Sequence, residues 1–436
     1  MPANKMIGLK DLATSVIKNF RKLSPSERLD QLSKITRLSN YDLLNLSEQS
    51  CLPLSVANGM IENVIGKIEI PLGIVTNFKI NFKDYLIPMA IEEPSVVAAA
   101  SNMAKIIRNS GGFLTSSDEP IMRAQLQILD VEDIAQAKVS LQKYEAQIKN
   151  LANSKDQTLI TLGGGCKSIE VHCFKKTKVG PMVILHLLVD VRDAMGANTV
   201  NTMAETISPL IEKITGGRVK LKILSNLADK RLARASVKIP FSNLGYSSFS
   251  GNEVANGIVE ASAFAEVDPY RAATHNKGIM NGIDSVVLAT GNDWRAVEAG
   301  AHAYASRSGW YSSLTSWEID NSGYLLGSIE IPMAVGLIGG TTATHPTSKS
   351  CINLLGVKSS TEFGQVLAAV GLAQNMGALR ALATEGIQKG HMTLHAKNIA
   401  IAAGATGSDI DSVSKAMVAK KDISLDRATV LLSKKL

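Results

Sequence analysis

The sequence predicts an α+β protein in which a small sheet-containing unit interrupts a large, mainly helical domain and a short helical segment follows at the C-terminus. Three observations predict it. Residues 250–385 are rich in Ala, Gly and Asn and carry long stretches of helical character. Between 120 and 225 the pattern changes to strand-like runs, glycine turns and amphipathic helices, a compact α/β unit inserted in the larger one. From 386 onward, short helices alternate with Gly404, Gly407 and polar linkers, the pattern of a small mobile piece. With 436 residues, 45% of them hydrophobic and 19% charged, the chain has material for roughly two or three domains and too few charges for extensive disorder.

The elements follow in order. The first sixty residues read as helices, one ending near Lys22–Leu23 and the next opening at Ser24–Pro25–Ser26–Glu27. There Ser24 caps, Pro25 suits the first helical position and Glu27 completes a capping box. Residues 68–91 alternate through Phe78, Ile80 and Phe82 and predict a hairpin. Glu93–Pro94–Ser95 opens a helix that Gly111–Gly112 ends. Within the inserted unit, Gln125–Val131 alternates and Ala135–Leu151 is an amphipathic helix. Thr158–Leu162 leads into Gly163–Gly164–Gly165. Val183–Val191 is nearly all apolar, as for a strand buried on both faces. A helix over Thr199–Ile214 and a strand placing Val219, Leu221 and Ile223 opposite Arg218, Lys220 and Lys222 complete the unit. Helices are then expected over Gly251–Phe264, Trp294–Ser306 and Phe363–Ala383.

Bulk properties narrow the function. The net charge of +7 suits a polyanionic small molecule or a nucleic acid. The basic residues are scattered and aromatics are only 5%, which argues against nucleic acid. No run reaches the ~20 apolar residues of a membrane span, and Met1–Lys10 lacks the apolar core of a secretory signal, so a cytoplasmic protein is expected. Cysteines 51, 166, 173 and 351 form neither a disulfide framework nor a zinc-knuckle spacing.

Several constellations carry chemistry. Asp190–Asn198 reads as a strand end, a Gly turn and a helix start, where free N–H groups suit a pyrophosphate; an ordinary turn reads the same locally. The GxGxxG fingerprint is absent, and Cys166 after Gly163–Gly165 breaks the P-loop pattern. Lys277, between Asn276 and Gly278, is a candidate electrophile or a surface lysine. Asp293 precedes a helix and reads as a cap, while Glu92 and Glu93 sit at another helix start. His391 and His395 share a helical face, but no third metal ligand accompanies them, and no metal is expected.

Taken together, Glu62–Gly66 (ENVIG), Glu92–Ala98 (EEPSVVA), Asp190–Asn201 (DVRDAMGANTVN), Asp268–Gly278 (DPYRAATHNKG), Thr290–Trp294 (TGNDW) and Gly390–Met392 (GHM) resemble hydroxymethylglutaryl-CoA reductase of the soluble bacterial class, class II, over nearly the whole chain. The resemblance implies a large substrate-, CoA-binding and dimerisation domain (1–119 and 226–385). It also implies a small ferredoxin-like cofactor domain (120–225), not a Rossmann fold, and a C-terminal flap (386–436). It implies interconversion of hydroxymethylglutaryl-CoA with mevalonate and CoA by two hydride transfers from NAD(P)H. Lys277 would stabilise the oxyanion, Glu93 act as general acid, Asp293 hold Lys277 in a shared proton network, and His391 protonate the CoA thiolate. Asp193, Ala194, Met195, Gly196, Ala197, Asn198 and Asn226 would hold the cofactor. Asp156 would accept a ribose 2′-hydroxyl and repel a 2′-phosphate, favouring NADH over NADPH. Ser95, Arg271, Asn281 and Gln374 would hold the hydroxymethylglutaryl part, and Arg21 a CoA phosphate. The resemblance implies a homodimer with shared active sites, with larger assembly left open. The rival readings are another acyl-CoA reductase or dehydrogenase and, from a different class, a basic nucleic-acid-binding protein.

Overall fold

The computed structural model describes residues 14–49, 52–384 and 386–433, with their side chains except those of 387–394. Three helices, α1 (Pro25–Ile35), α2 (Asn40–Asn45) and α3 (Leu54–Met60), precede a hairpin of β1 (Leu72–Ile80) and β2 (Lys83–Ala90). The Ser24 hydroxyl accepts from the Glu27 N–H while the Glu27 carboxylate accepts from the Ser24 N–H at 2.7 Å, the expected capping box. The expected helix ending near Lys22–Leu23 is corrected: only a 3-10 turn, Phe20–Lys22, stands there. Phe82 is corrected too. It turns the hairpin at φ +67° and lies 78% exposed, whereas Phe78 and Ile80 enter the core.

Helix α4 (Val96–Asn109) begins two residues after Pro94, because Ser95 takes φ +83° and breaks the helical path first. Strand β3 (Leu114–Ser117) then leads into the insertion, which comprises β4 (Ile121–Leu129), α5 (Ile134–Lys143), α6 (Glu145–Asn153), α7 (Gln157–Thr161), β5 (Gly165–Phe174), β6 (Met182–Asp190), α8 (Ala197–Thr215) and β7 (Arg218–Leu224). The helix expected over 135–151 is broken at Tyr144. The sheet runs β5-β6-β4-β7, all antiparallel, which is the ferredoxin-like order. Its helices bury Leu185, Leu187 and Val189, and the opposite face carries Gln125, Glu170, His172 and His186. That corrects two strand expectations. Strand β6 is covered on one face along its first half, and Leu221 and Ile223 on edge strand β7 are 56% and 48% exposed.

The chain leaves for the insertion at β3 and returns at β8 (Leu232–Pro240), which pairs directly with β3. Helices α9 (Gly251–Val267), α10 (Pro269–Ala289) and α11 (Trp294–Ala305) follow, then β9 (Thr315–Ile319) and β10 (Tyr324–Pro332). These strands complete a second antiparallel sheet, β3-β8-β10-β9. After the short α12 (Gly340–Thr344) and α13 (Pro346–Leu355), α14 (Ser360–Ala383) crosses the centre of the larger core. Against the expectation that no run reaches a membrane span, this helix is long and apolar enough for one, but it is buried against α4, α9, α10 and β8, as the core helix of a folded domain is. The last helices, α15 (Ile387–Ala402), α16 (Ser408–Ala419) and α17 (Leu425–Ser433), pack round a small core of their own.

Candidate active site

Helix α10 organises the first centre. The Asp268 carboxylate caps it by accepting from the Arg271 N–H at 2.7 Å, and Pro269 occupies its first turn. Asn276 and the ring of His275 turn inward: His275 Nε2 meets Thr315, Ser313 and Asn375, and Asn276 donates to the Ser312 carbonyl at 2.9 Å. Burial, with Arg271 beside it, lowers His275 to about 3, so it is a neutral buried anchor. The anchor fixes the rotation of α10 and leaves Lys277 and Asn281, one turn apart, on the opposite side. Both reach the Glu93 carboxylate, which follows β2. The Lys277 ammonium donates at 3.0 Å and the Asn281 amide at 3.4 Å. Lys277 remains 60% exposed, so its other donors face outward.

Other polar groups lie along α10 and on α14, which packs against it. Arg271 is half-buried, and its guanidinium has no carboxylate partner among the described residues; desolvation lowers its pKa. Gln374 of α14 packs on Gly282, the residue after Asn281, and its Oε1 is buried with no hydrogen-bond partner among the described residues. Such an orphaned acceptor fits a ligand that brings its own donor. Deeper on α10, burial and the Glu298 carboxyl push Asp284 up to about 9.

Asp293 is placed differently from the expected network. It caps α11, accepting from the Ala296 N–H at 3.1 Å, with Arg295 at 3.5 Å. Among the described residues it forms no ion pair with Lys277. Ser95 stands beside Glu93 in its left-handed conformation. Arg21 is exposed on the 3-10 turn at the other end of the chain. The side chain of His391 lies outside the described residues, although its backbone belongs to α15.

The second centre is a backbone one. The turn from β6 to α8 runs through Asp193, Ala194, Met195 and Gly196, and Ala197 and Asn198 begin the helix. Gly196 takes φ +102°, and a Cβ there would meet Val191 at 2.8 Å, so only glycine closes this turn without strain. The first amides of α8 have no intrahelical acceptor and so can meet an anion. The Asp193 carboxylate accepts from the Ser360 N–H at 2.7 Å, tying the turn to the start of α14. Asn226 is exposed after β7, its carbonyl against Gly300 of α11. Asp156 caps α7, accepting from the Leu159 N–H at 2.8 Å. The triple glycine packs beside the turn, with Gly163 against Arg192 and Gly164 against the Asp190 carbonyl.

Comparison with known proteins decides the family. The family model described as hydroxymethylglutaryl-coenzyme A reductase matches residues 24–396. The chain belongs to the hydroxymethylglutaryl-coenzyme A reductase family. A reductase of this name from Archaeoglobus fulgidus is 53% identical over 421 residues, covering 97% of this chain and 95% of the relative. A probable reductase from Borreliella burgdorferi is 38% identical, covering 88% and 86%. A reductase structure from Streptococcus pneumoniae superposes with a TM-score of 0.82 at 38% identity, over 96% of this chain and 99% of that one. Another, a class II enzyme bound to NADPH in open conformations, gives 0.81 at 39% identity over 84% and 99%. The mixed helix-and-sheet architecture of this reductase-family chain is thus the class II one.

Sequence reasoning missed two supports of the turn: Arg231, whose guanidinium donates to the Ala194 and Met195 carbonyls, and Ser360. Nothing in the local pattern marks either, because their roles arise where distant segments meet. It also missed a cluster of Glu170, His172 and His186 on the open sheet face, whose ligand atoms lie within 4.8 Å of one another. The Arg123 guanidinium already bonds Glu170 and His186 Nδ1 there, in the place a metal ion would take.

Proposed function

We propose that this chain interconverts hydroxymethylglutaryl-CoA with mevalonate and CoA, using a nicotinamide cofactor. The observation that carries the reading is Lys277 and Asn281 converging on the Glu93 carboxylate. The cofactor, when bound, supplies hydride. The rest is work for side chains. Each hydride addition leaves negative charge on the former carbonyl oxygen, and Lys277 stabilises it. Glu93, within proton-transfer distance of Lys277, donates to the aldehyde oxygen in the second reduction. His391 protonates the departing CoA thiolate, a task for a group titrating near neutrality. Arg271 takes the free carboxylate of the hydroxymethylglutaryl part, with Ser95, Asn281 and the orphaned Gln374 oxygen around it. Asp293 completes the proton network in the assembled dimer, where active sites are shared between chains.

Residues 1–119 and 226–385 form the substrate, CoA and dimerisation domain, with Arg21 on a CoA phosphate. Residues 120–225 form the cofactor domain and 386–436 the flap. The free amides of α8 and the closely packed Gly196 turn fit the cofactor pyrophosphate, with Asp193–Asn198 and Asn226 around it. NADH is the preferred form: an Asp156 carboxylate repels a 2′-phosphate even while it caps α7. The similar Streptococcus pneumoniae enzyme is bound to NADPH, which makes the preference a sharp point of test.

The test mixes purified protein with hydroxymethylglutaryl-CoA and NADH or NADPH and follows the loss of reduced-cofactor absorbance. The reverse direction is run with mevalonate, CoA and oxidised cofactor. Turnover abolished in Lys277→Ala supports the reading. A folded protein inactive in both directions overturns it, and other acyl-CoA thioesters are then the substrates to screen.

A further inference from the structure

Arg231 immediately precedes β8 and is only 4% exposed. Its guanidinium donates to three main-chain carbonyls: Ala194 and Met195 at 3.2 Å each, and Val335 at 2.5 Å. Among the described residues no carboxylate pairs with it directly, although Asp193 and Asp190 lie near enough to favour its charge. Burial dominates and lowers it to about 10, so it stays charged at neutral pH. A buried cation is costly, and a planar fork meeting three carbonyls from two separate segments is a specific arrangement.

We propose that Arg231 is the positioning residue that shapes the phosphate cradle of the β6–α8 turn, an inference that rests on the cofactor reading above. The reason is peptide geometry. In a planar trans peptide the C=O and N–H point in opposite directions. With the Met195 carbonyl drawn into the guanidinium, the Gly196 N–H is turned to the other side of its peptide plane, away from the cation. The Ala194 carbonyl fixes the preceding peptide in the same way, and the Val335 carbonyl ties both to the segment after β10. The remaining restraints act on neighbouring atoms. Leu337 N–H donates to the Asp193 carbonyl at 2.9 Å, and Gly336 packs so closely that a Cβ there would fall 2.5 Å from the Met195 nitrogen. Arg231 therefore touches neither cofactor nor substrate. It sets the direction of amides that do, and it couples the insertion to the larger unit on which Lys277 stands.

The test compares the unaltered protein with Arg231→Lys, which keeps the charge and loses the fork. Gly336→Ala is the second variant; its Cβ presses on the Met195 nitrogen and leaves Arg231 in place. Three quantities are read: dissociation constants of NADH and NADPH from nicotinamide fluorescence, steady-state constants, and amide exchange at 194–199. Expected is at least a tenfold weaker cofactor in both variants and faster exchange of the turn. At saturating cofactor, kcat and KM for the acyl-CoA should stay within about threefold. Folded variants with cofactor affinity within twofold of the unaltered protein overturn the proposal. So does an equal loss of affinity for both substrates accompanied by a lowered Tm, which marks a structural role alone. If the unaltered protein binds neither dinucleotide, the functional reading itself fails, and this inference with it.

Discussion

The Lys277 centre and the Gly196 turn both present positive potential, by opposite means. Lys277 is a side chain on a rigid helix, and its partner Glu93 lies 184 positions away in the chain. The turn is continuous in sequence and works through backbone amides, yet Arg231, Ser360 and Gly336 hold it from other parts of the fold. A side-chain centre is therefore broken by replacing its own residues. A backbone centre is broken by replacing what supports it, because its amides cannot be mutated away.

Experiments can sharpen this contrast. The largest effect is expected at Lys277. Lys277→Ala should lower kcat by about 10²–10³-fold, the cost of losing one oxyanion donor. Its Tm should stay near that of the unaltered protein, because the side chain is 60% exposed. A collapse of Tm would make Lys277 structural and erase the contrast. Next comes Gly196→Ala, which forces a Cβ against Val191 at φ +102° and should cost about 1–3 kcal/mol in urea unfolding. Cofactor KM should rise more than acyl-CoA KM; equal rises would place the turn outside the cofactor site.

A third test concerns pH. Asp284 binds its proton more tightly folded, up to about 9, than unfolded, near 3.8. The folded state therefore holds more protons across that window, and stability from this group falls as pH rises through it. Asp284→Asn should gain stability relative to the unaltered protein at pH 8 and little at pH 4; equal differences at both would deny the proton. His275 works in reverse. Lowered to about 3, it leaves the unfolded chain holding the extra proton below about 6.5, so stability falls on acidification. The smallest effect is expected at Asp156. Asp156→Ala should lose about 1 kcal/mol with the α7 cap, whereas Asp156→Asn keeps the cap. Both should raise the NADPH/NADH ratio of kcat/KM. A ratio unchanged in both would remove the carboxylate from cofactor choice.

Much of this was legible in the residues. Capping at Ser24, the hairpin over 68–91, the strand-turn-helix at 190–198 and the long helix ending at Ala383 are local patterns, and the structure carries them. The failures share a cause. Leu221 and Ile223 alternate as a buried strand should, but a register shift against β4 puts Ile223 opposite Gln125, on the open face of the sheet. Asp293 is a cap by its position before α11, as its local sequence indicates, and among the described residues it forms no ion pair with Lys277.

The sequence by itself determined most of the element types, the α+β class and the inserted unit, because periodicity, capping and turn chemistry act over a few residues. Only the tertiary structure decided that β3 meets β8 across the insertion, that a neutral His275 turns Lys277 toward Glu93, and that Arg231 gathers three carbonyls. Those are contacts between segments far apart in the chain. They depend on how packed elements exclude water and leave each buried polar group to find a partner, which no local pattern encodes.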